Sequence, residues 1–246
     1  MKKHNLHTHT LYSDGRLSPQ EIVFEAKQRN LETIGITDHL FTRRLPSEKQ
    51  IQYDQIGEYN RAVRDAGNKA GIKVLVGAEI DVSRNYGIDP RNVPFRKINE
   101  LFDYVLAEHI GKERFDFKHG QVISARPLRE LLAVRSKFKI PVGLAHNDLQ
   151  LNYHGRELAV AEVLALDDVF VEIDQSERYS IFGGRNTRSG INFYEHFSPK
   201  LIQALKQYNV SVVIGTDSHS GRKLDESSSA ENFVEKHQLN YHPLVA

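Results

Sequence analysis

The sequence of 246 residues contains no cysteine. This absence excludes disulfide bonds, thiolate metal sites and a thiol nucleophile, so any metal must be bound by nitrogen and oxygen donors. No apolar run approaches the roughly 20 residues that a membrane-spanning helix needs. The charged N-terminus is not followed by the apolar stretch of a signal peptide. We therefore expect a cytoplasmic protein with no membrane partner.

The sequence also lacks an excess of charge of either sign, because 33 basic residues face 32 acidic ones. Such a balance gives no general attraction to long nucleic acids, which we therefore do not expect as partners. The sequence has no low-complexity segment, no proline- or serine-rich linker and no strong change of composition along its length. These absences predict that residues 1–246 form a single domain.

Short apolar runs and longer segments of helical periodicity alternate along the whole chain. The predicted strands are Lys3–Leu6, Thr33–Thr37, Ile72–Val76 (running on toward Ile80), Tyr104–Ala107, Pro141–Ala145, Val169–Ile173 and Val210–Gly215. The first predicted helix begins at Ser18, which starts a capping box. The other predicted helices are Ser47–Ala70, Arg126–Phe138, Arg156–Leu166, Lys200–Tyr208 and Ala230–Lys236. This alternation predicts an α/β fold with a parallel sheet. Seven units are close to what closes a barrel, so we expect a distorted TIM-like (β/α)7 barrel.

Residues that can bind a metal stand at the carboxyl end of every predicted strand, where parallel α/β folds place their reactive groups. In chain order they are His7 and His9, Asp38 and His39, Glu79 and Asp81, Glu108 and His109, His146 and Asp148, Glu172 and Asp174, and Asp217 and His219. His7 and His9 are two residues apart in an extended chain, so both side chains point the same way. A set of imidazoles and carboxylates suits zinc, manganese or iron.

Several of these residues lie in motifs that resemble the PHP (polymerase and histidinol phosphatase) family. The motifs are His4-Asn5-Leu6-His7-Thr8-His9-Thr10, Ser13-Asp14-Gly15, Gly35-Ile36-Thr37-Asp38-His39, Gly77-Ala78-Glu79-Ile80-Asp81, Ala145-His146-Asn147-Asp148 and Gly215-Thr216-Asp217-Ser218-His219-Ser220. They follow the family's order and span residues 4 to 220, nearly the whole chain.

The resemblance implies a trinuclear site at the carboxyl face of the barrel, with two to three divalent ions (zinc, manganese or iron). Carried over by position, the ligands of the three metals are His7, His9, Glu79 and Asp217; Glu79, His109 and His146; and Asp14, His39 and His219. The candidate catalytic residues in this set are Asp14, His39, Asp217 and His219. Asp38, next to His39, is interpreted as a carboxylate that orients an imidazole.

Two positions depart from the pattern of similar proteins. Some members, including histidinol phosphatases, have histidine where Asp14 stands, although the aspartate variant also occurs. The segment Ala107-Glu108-His109-Ile110 differs from the expected sequence of a small residue, valine and histidine. We expect the site to survive these differences, with an altered metal preference.

The chemistry expected of clustered divalent ions is hydrolysis of a phosphoester, with a metal-bridging hydroxide attacking phosphorus in line. Substrate phosphate often also meets arginine, whose planar fork matches its oxygens. The glycine-rich loop after the sixth predicted strand carries three candidates for this role: Arg178, Arg185 and Arg188. Arg43 and Arg44 are weaker candidates.

Three functions follow from this site. The first is a phosphatase for a small phosphorylated metabolite, with histidinol phosphate as the most specific candidate. The second is a nuclease or nucleotide phosphodiesterase of the same superfamily, which the near-neutral charge disfavours. The third is a metal-binding module without activity, which the complete ligand set disfavours. The oligomeric state stays open.

Overall fold

Alternating strands and helices form the fold, and the structure, a computed structural model, describes residues 3–81, 90–108, 115–116, 121–122, 128–176 and 192–245. The strands are β1 (His4–Asn5), β2 (Thr33–Ile36), β3 (His39–Leu40), β4 (Lys73–Asp81), β5 (Tyr104–Glu108), β6 (Phe115–Asp116), β7 (Gln121–Val122), β8 (Val142–Leu144), β9 (Val169–Asp174), β10 (Ser211–Gly215) and β11 (Asn240–Tyr241). The helices are α1 (Pro19–Gln28), α2 (Ile56–Ala70), α3 (Phe95–Leu101), α4 (Arg129–Arg135), α5 (Leu149–Asn152), α6 (Glu157–Leu166), α7 (Pro199–Gln207) and α8 (Ser228–His237).

The main sheet is parallel and curls until its two sides meet. Its order is β1-β2-β4-β5-β8-β9-β10-β11, with β3 beside the end of β4. The Leu6 amide donates a hydrogen bond to the Ile214 carbonyl (2.9 Å), and the His9 amide donates to the Ser218 carbonyl (2.9 Å). These bonds form a seam between β1 and β10 that brings seven strands around one axis. The α/β class and the distorted TIM-like barrel predicted from the sequence are confirmed.

Large apolar side chains fill the barrel interior, including Tyr104, Leu106 and Phe170. The Tyr104 hydroxyl donates a hydrogen bond to the Leu6 carbonyl (2.6 Å), which satisfies this buried polar group. The C-terminal tail also packs against this interior, because β11 pairs with β10 and Val245 is buried in the same cluster. Apolar filling of the interior means that a polar site must lie at one end of the barrel.

The sequence located the strands well, and its first helix start is confirmed: Ser18 caps α1 in a capping box with Glu21. The prediction of one helix over Ser47–Ala70 is wrong at its beginning. Only a short 3-10 turn forms at Ser47–Lys49, and the α-helix begins at Ile56. Ile51 is buried and its amide donates to the His39 carbonyl (2.9 Å), so pairing with β3 holds the chain at Ile51 out of a helix.

Other helices also differ from the predictions. Helix α3 was not predicted, because its seven residues follow Pro94 and carry only a short apolar pattern, of which Ile98 is buried. The predicted helix Arg126–Phe138 is observed as α4, which ends at Arg135, and residues 123–127 lie outside the described residues. None of the helices in the described part of the chain has both the length and the apolar character that crossing a membrane requires.

Candidate metal centre

The carboxyl ends of the barrel strands bring seven of the nine predicted ligands, together with the loop residue Asp14, into one polar cluster. The described members are His7, His9, Asp14, His39, Glu79, His146, Asp217 and His219. The ninth predicted ligand, His109, and the predicted phosphate-binding residues Arg178, Arg185 and Arg188 lie outside the described residues. The cluster is buried, although Asp14 and His219 lie at its more open edge.

Four donor atoms meet at the seam between β1 and β10. The Nε2 atoms of His7 and His9 are 3.1 Å apart. Glu79 Oε2 lies 3.4 Å from His7 Nε2 and 3.5 Å from His9 Nε2. Asp217 Oδ1 lies 3.1 Å from His9 Nε2 and 3.8 Å from His7 Nε2. Donors about 2.1 Å from one ion stand roughly 3.0–3.5 Å apart, so this four-donor group has the spacing of a metal site.

A second group lies beside the first. Asp14 Oδ1 is 3.1 Å from His219 Nε2 and 3.7 Å from His39 Nε2. His9 lies against this group through its other nitrogen, since its Nδ1 is 3.8 Å from Asp14 Oδ1. The His9 ring also stacks between those of His39 and His219, with centroids 4.5 and 4.4 Å away. The two groups therefore adjoin across one imidazole.

Glu79 connects the seam to a third position. Its Oε1 lies 2.7 Å from His146 Nε2, while its Oε2 faces the four-donor group. The arrangement places Glu79 between His146 and the two seam histidines, as the resemblance implied for a bridging carboxylate. His146 and Asp217 both have positive φ, 28° and 45°. Non-glycine residues in this region are strained, and such strain persists where the surrounding structure fixes a functional group.

Three buried atoms of the described cluster lack the hydrogen bonds that buried polar atoms normally make. Asp14 Oδ1, His39 Nδ1 and Glu79 Oε2 make no hydrogen bond within the described part of the chain. His39 Nδ1 and Glu79 Oε2 are 3.1 Å apart, yet their geometry is not that of a hydrogen bond. Buried polar atoms that lack hydrogen bonds are costly unless an ion or water satisfies them. The oxygen and nitrogen donors present fit divalent transition metals.

Glu172 orients His7 from below the cluster. His7 Nδ1 donates to Glu172 Oε1 (2.8 Å), which leaves Nε2 directed at the four-donor group. The other carboxylate oxygen accepts the backbone amide of His146 (2.6 Å). Gly215 makes room for this arrangement, since a Cβ there would lie 1.8 Å from Glu172 Oε1 and 2.7 Å from the His7 Cβ. One carboxylate thus positions residues of two strand ends.

The interpretation of Asp38 as an imidazole-orienting carboxylate is wrong in its direct form. Asp38 accepts hydrogen bonds from the Thr10 amide (2.6 Å), the Thr10 hydroxyl (2.7 Å) and the Ser13 hydroxyl (2.6 Å). Ser13 Oγ in turn lies 3.4 Å from His9 Nδ1. Asp38 therefore fixes the loop that carries Asp14. The sequence suggested a role near His39 because the two residues are adjacent, but the hydrogen bonds of Asp38 direct its side chain toward Thr10 and Ser13.

We expect Glu172→Gln to weaken metal binding by about 10- to 100-fold, the usual effect of losing such a carboxylate. Both oxygens of Glu172 accept hydrogen bonds, so either orientation of a glutamine amide would place an N–H group against a donor. The measurement is a titration of metal-free protein with Mn²⁺, with the exposed Glu100→Gln as control. Equal affinities in the two variants would contradict this role.

Charge inside the cluster alternates between carboxylates and imidazoles. Burial raises the pKa of Glu79, but His7, His39 and His146 outweigh it and hold that pKa well below its usual value. Burial lowers the pKa of His146, yet Glu79 raises it to about 9. The pKa of His39 is likewise about 9, because Glu79, Glu108 and Asp14 outweigh burial. Metal-free protein therefore holds protons where a metal would bind.

Metal affinity is expected to increase with pH between about 7 and 8.5. His39 and His146, with pKa values of about 9, are protonated in this range, and a divalent ion must displace their protons. Each displaced proton strengthens the apparent affinity by about tenfold per pH unit until the pKa is passed. Calorimetric titrations with Mn²⁺ in buffers of different ionisation enthalpy count the released protons. A heat of binding that does not depend on the buffer would contradict the prediction.

Glu108 belongs to the cluster, although it was not among the predicted ligands. His39, Glu79 and Glu108 each offer a donor atom to one small volume. Glu108 lies two residues after Leu106, whose side chain points into the barrel interior, so the alternation of β5 directs Glu108 to the same side. The family resemblance implies the adjacent histidine, His109, as the ligand instead.

Comparison with known proteins gives one family match and similar chains of nearly the same length. The sequence model of the PHP domain matches residues 5–180. An uncharacterised protein from Methanocaldococcus jannaschii is 25% identical over 230 residues, covering 92% of this chain and 86% of its own length. The crystal structure of histidinol phosphate phosphatase from Lactococcus lactis, in complex with zinc, L-histidinol and phosphate, superposes with a TM-score of 0.62 at 21% identity. It covers 98% of this chain and 95% of the phosphatase.

Proposed function

Because the chain belongs to the PHP domain family of metal-dependent phosphoesterases, we propose that it hydrolyses a small phosphate monoester, with histidinol phosphate as the first candidate. The observation that carries this proposal is the four-donor group of His7, His9, Glu79 and Asp217 beside the group of Asp14, His39 and His219. We propose that residues 1–246 act as one domain, since the ligands come from both ends of the chain.

The residues that would hold divalent ions fall into the groups that the structure brings together. Two to three ions of zinc, manganese or iron suit these donors, and His146 with Glu79 would contribute to a further position. Bound divalent ions supply charge neutralisation to phosphate oxygens and lower the pKa of water. The protein's own contribution is to fix the donors in place, as Glu172 does for His7.

The substrate would approach from the side of Asp14 and His219. Their side chains are 26% and 22% exposed, whereas those of His7 and His9 are fully buried. Asp14 and His219 therefore stand between solvent and the seam, where they can contact the phosphate or the leaving oxygen. Arg178, Arg185 and Arg188 are retained as candidates for phosphate binding, on the strength of their glycine-rich loop in the sequence.

Support for a monoester rests on two points. One solved structure of similar fold is a histidinol phosphate phosphatase that holds L-histidinol and phosphate, and the two chains cover almost all of each other. The net charge of +1 gives no general attraction to long nucleic acids, which a nuclease would need. Because this chain and the phosphatase are 21% identical, their likeness shows the fold alone, and histidinol phosphate as the substrate of this chain is our proposal.

The test is a substrate panel on protein purified without chelator and analysed for bound metals. The panel contains histidinol phosphate, nucleoside monophosphates, sugar phosphates and one phosphodiester. We expect two to three ions per chain and hydrolysis of one monoester well above the others, with kcat/KM reduced in His9→Ala. Cleavage of the diester alone would move the assignment to a phosphodiesterase. A metal-filled protein that cleaves none of the compounds would refute the proposal.

A further inference from the structure

Glu108 ends β5 as a fully buried carboxylate at the metal-binding end of the barrel. Its register partner in β4 is Asp81, and the preceding inward-facing residue of β5 is Leu106 in the interior cluster. Glu108 therefore enters the cluster from within the barrel. A buried carboxylate is costly to retain unless charged or polar groups satisfy both of its oxygens.

The two oxygens of Glu108 face different partners. Oε2 accepts a hydrogen bond from Arg44 Nη1 at 2.9 Å. Oε1 lies 3.6 Å from His39 Nδ1. Arg44 thus anchors one side of the carboxylate, and the other side is presented to a candidate metal ligand.

His39 needs a carboxylate at this position. Its Nε2 faces Asp14 Oδ1 (3.7 Å), so Nδ1 is the nitrogen left to carry a proton when Nε2 binds a metal. Glu79 Oε2 also lies near Nδ1, at 3.1 Å, but the same oxygen faces both histidines of the seam. Metal-binding histidines generally donate their second N–H group to a carboxylate or carbonyl, which fixes the ring. Glu108 is the carboxylate available for this role.

We propose that Glu108, anchored by Arg44, is a positioning residue that fixes the His39 ring for metal binding. The inference rests on the proposed metal-dependent function. It assigns a role to Glu108, which stands where the family resemblance leads us to expect valine. It also gives Arg44 a structural partner within the centre, in place of the phosphate contact considered from the sequence.

Two substitutions test the proposal, Glu108→Ala and Glu108→Gln, against Asp103→Asn as a matched control. Asp103 precedes β5 at its opposite end and pairs with Arg64 through two hydrogen bonds of 2.7 and 2.8 Å, so it is also a carboxylate held by arginine. Metal-free proteins are titrated with Mn²⁺, and free Mn²⁺ is followed by electron paramagnetic resonance. We expect Glu108→Ala to weaken at least one Mn²⁺ site by about 10- to 100-fold. Glu108→Gln, which keeps an acceptor for His39, should weaken it less, and Asp103→Asn should leave it unchanged.

A double-mutant cycle with His39→Ala separates positioning from direct ligation. If Glu108 acts through His39, the double variant has the same Mn²⁺ affinity as His39→Ala alone. Additive losses would show that Glu108 binds the metal by itself and would overturn the proposal, as would wild-type affinity in both Glu108 variants. Wild-type protein that binds no divalent ion would refute the proposed function as well. Normal wild-type binding with unaffected Glu108 variants would refute only this inference.

Discussion

Glu79→Gln is expected to abolish nearly all phosphoesterase activity and to remove at least one bound metal. The Glu79 carboxylate is buried and lies within 3.5 Å of nitrogen atoms from four histidines: His7, His9, His39 and His146. One of its oxygens contacts both seam histidines, and the other contacts the imidazole ring of His146. A neutral amide cannot balance these imidazoles or bridge two positions, because its nitrogen does not accept hydrogen bonds or ligate metals.

The expected loss in kcat/KM is about a thousandfold or more. Metal ions stabilise a charged transition state by several kcal/mol, and about 4 kcal/mol corresponds to three powers of ten in rate. The measurement pairs steady-state kinetics with metal analysis of the same sample. Glu157→Gln is the control, since Glu157 is also a buried carboxylate but pairs with Lys200 (3.3 Å). A Glu79→Gln enzyme with full metal content and normal kcat/KM would rule out a central role for this carboxylate.

Removal of metal by chelator is expected to reduce hydrolysis to background and to lower the melting temperature. The donors come from strands all around the barrel, so ions bind the folded chain and not the unfolded one. Free metal at a hundred times its dissociation constant stabilises the folded state by about 2.7 kcal/mol. For a chain of this length that corresponds to a shift of roughly 5–10 °C.

The shift is measured by thermal unfolding of metal-free protein with and without added Mn²⁺ or Zn²⁺, after elemental analysis has verified metal loss. Activity should return with the same metal that raises the melting temperature. Glu79→Gln provides a control for nonspecific effects, since its melting temperature should respond much less to added metal. Undiminished hydrolysis by verified metal-free protein would exclude the metal-dependent mechanism.

The sequence predicted the fold and most of the cluster because both depend on local patterns. Alternating apolar runs marked the strands, and the two-residue spacing of His7 and His9 fixed their common direction. The helix over Ser47–Ala70 failed at its start because a contact distant in sequence, Ile51 against His39, overrides local helical preference. The role of Glu172 escaped prediction for the same reason, since it depends on barrel closure, which brings Glu172 of β9 against His7 and against the backbone of His146 after β8.

The roles of Asp38 and Glu108 show a second limit of sequence reasoning. Neighbours in sequence favour pairing Asp38 with His39, but the backbone directs Asp38 toward the Thr10 loop. For Glu108 the adjacent histidine matched a known motif more closely, and inward orientation became visible only through the register of β5 with β4. Which of two adjacent polar residues enters a barrel depends on register, and a single sequence does not specify it.

The seam between β1 and β10 has a consequence for how the protein folds. His4 accepts a hydrogen bond from the amide of Ile214, 210 residues further along the chain, so closure of the barrel depends on contacts of very high contact order. Such contacts form late and slowly, because the chain must lose the conformational entropy of closing a long loop before the contacts can stabilise it. His9 and Asp217 face each other across this seam, so a nascent chain cannot assemble the four-donor group until its last strands have emerged. Tight metal binding would then report the completion of folding and would slow reopening of the barrel.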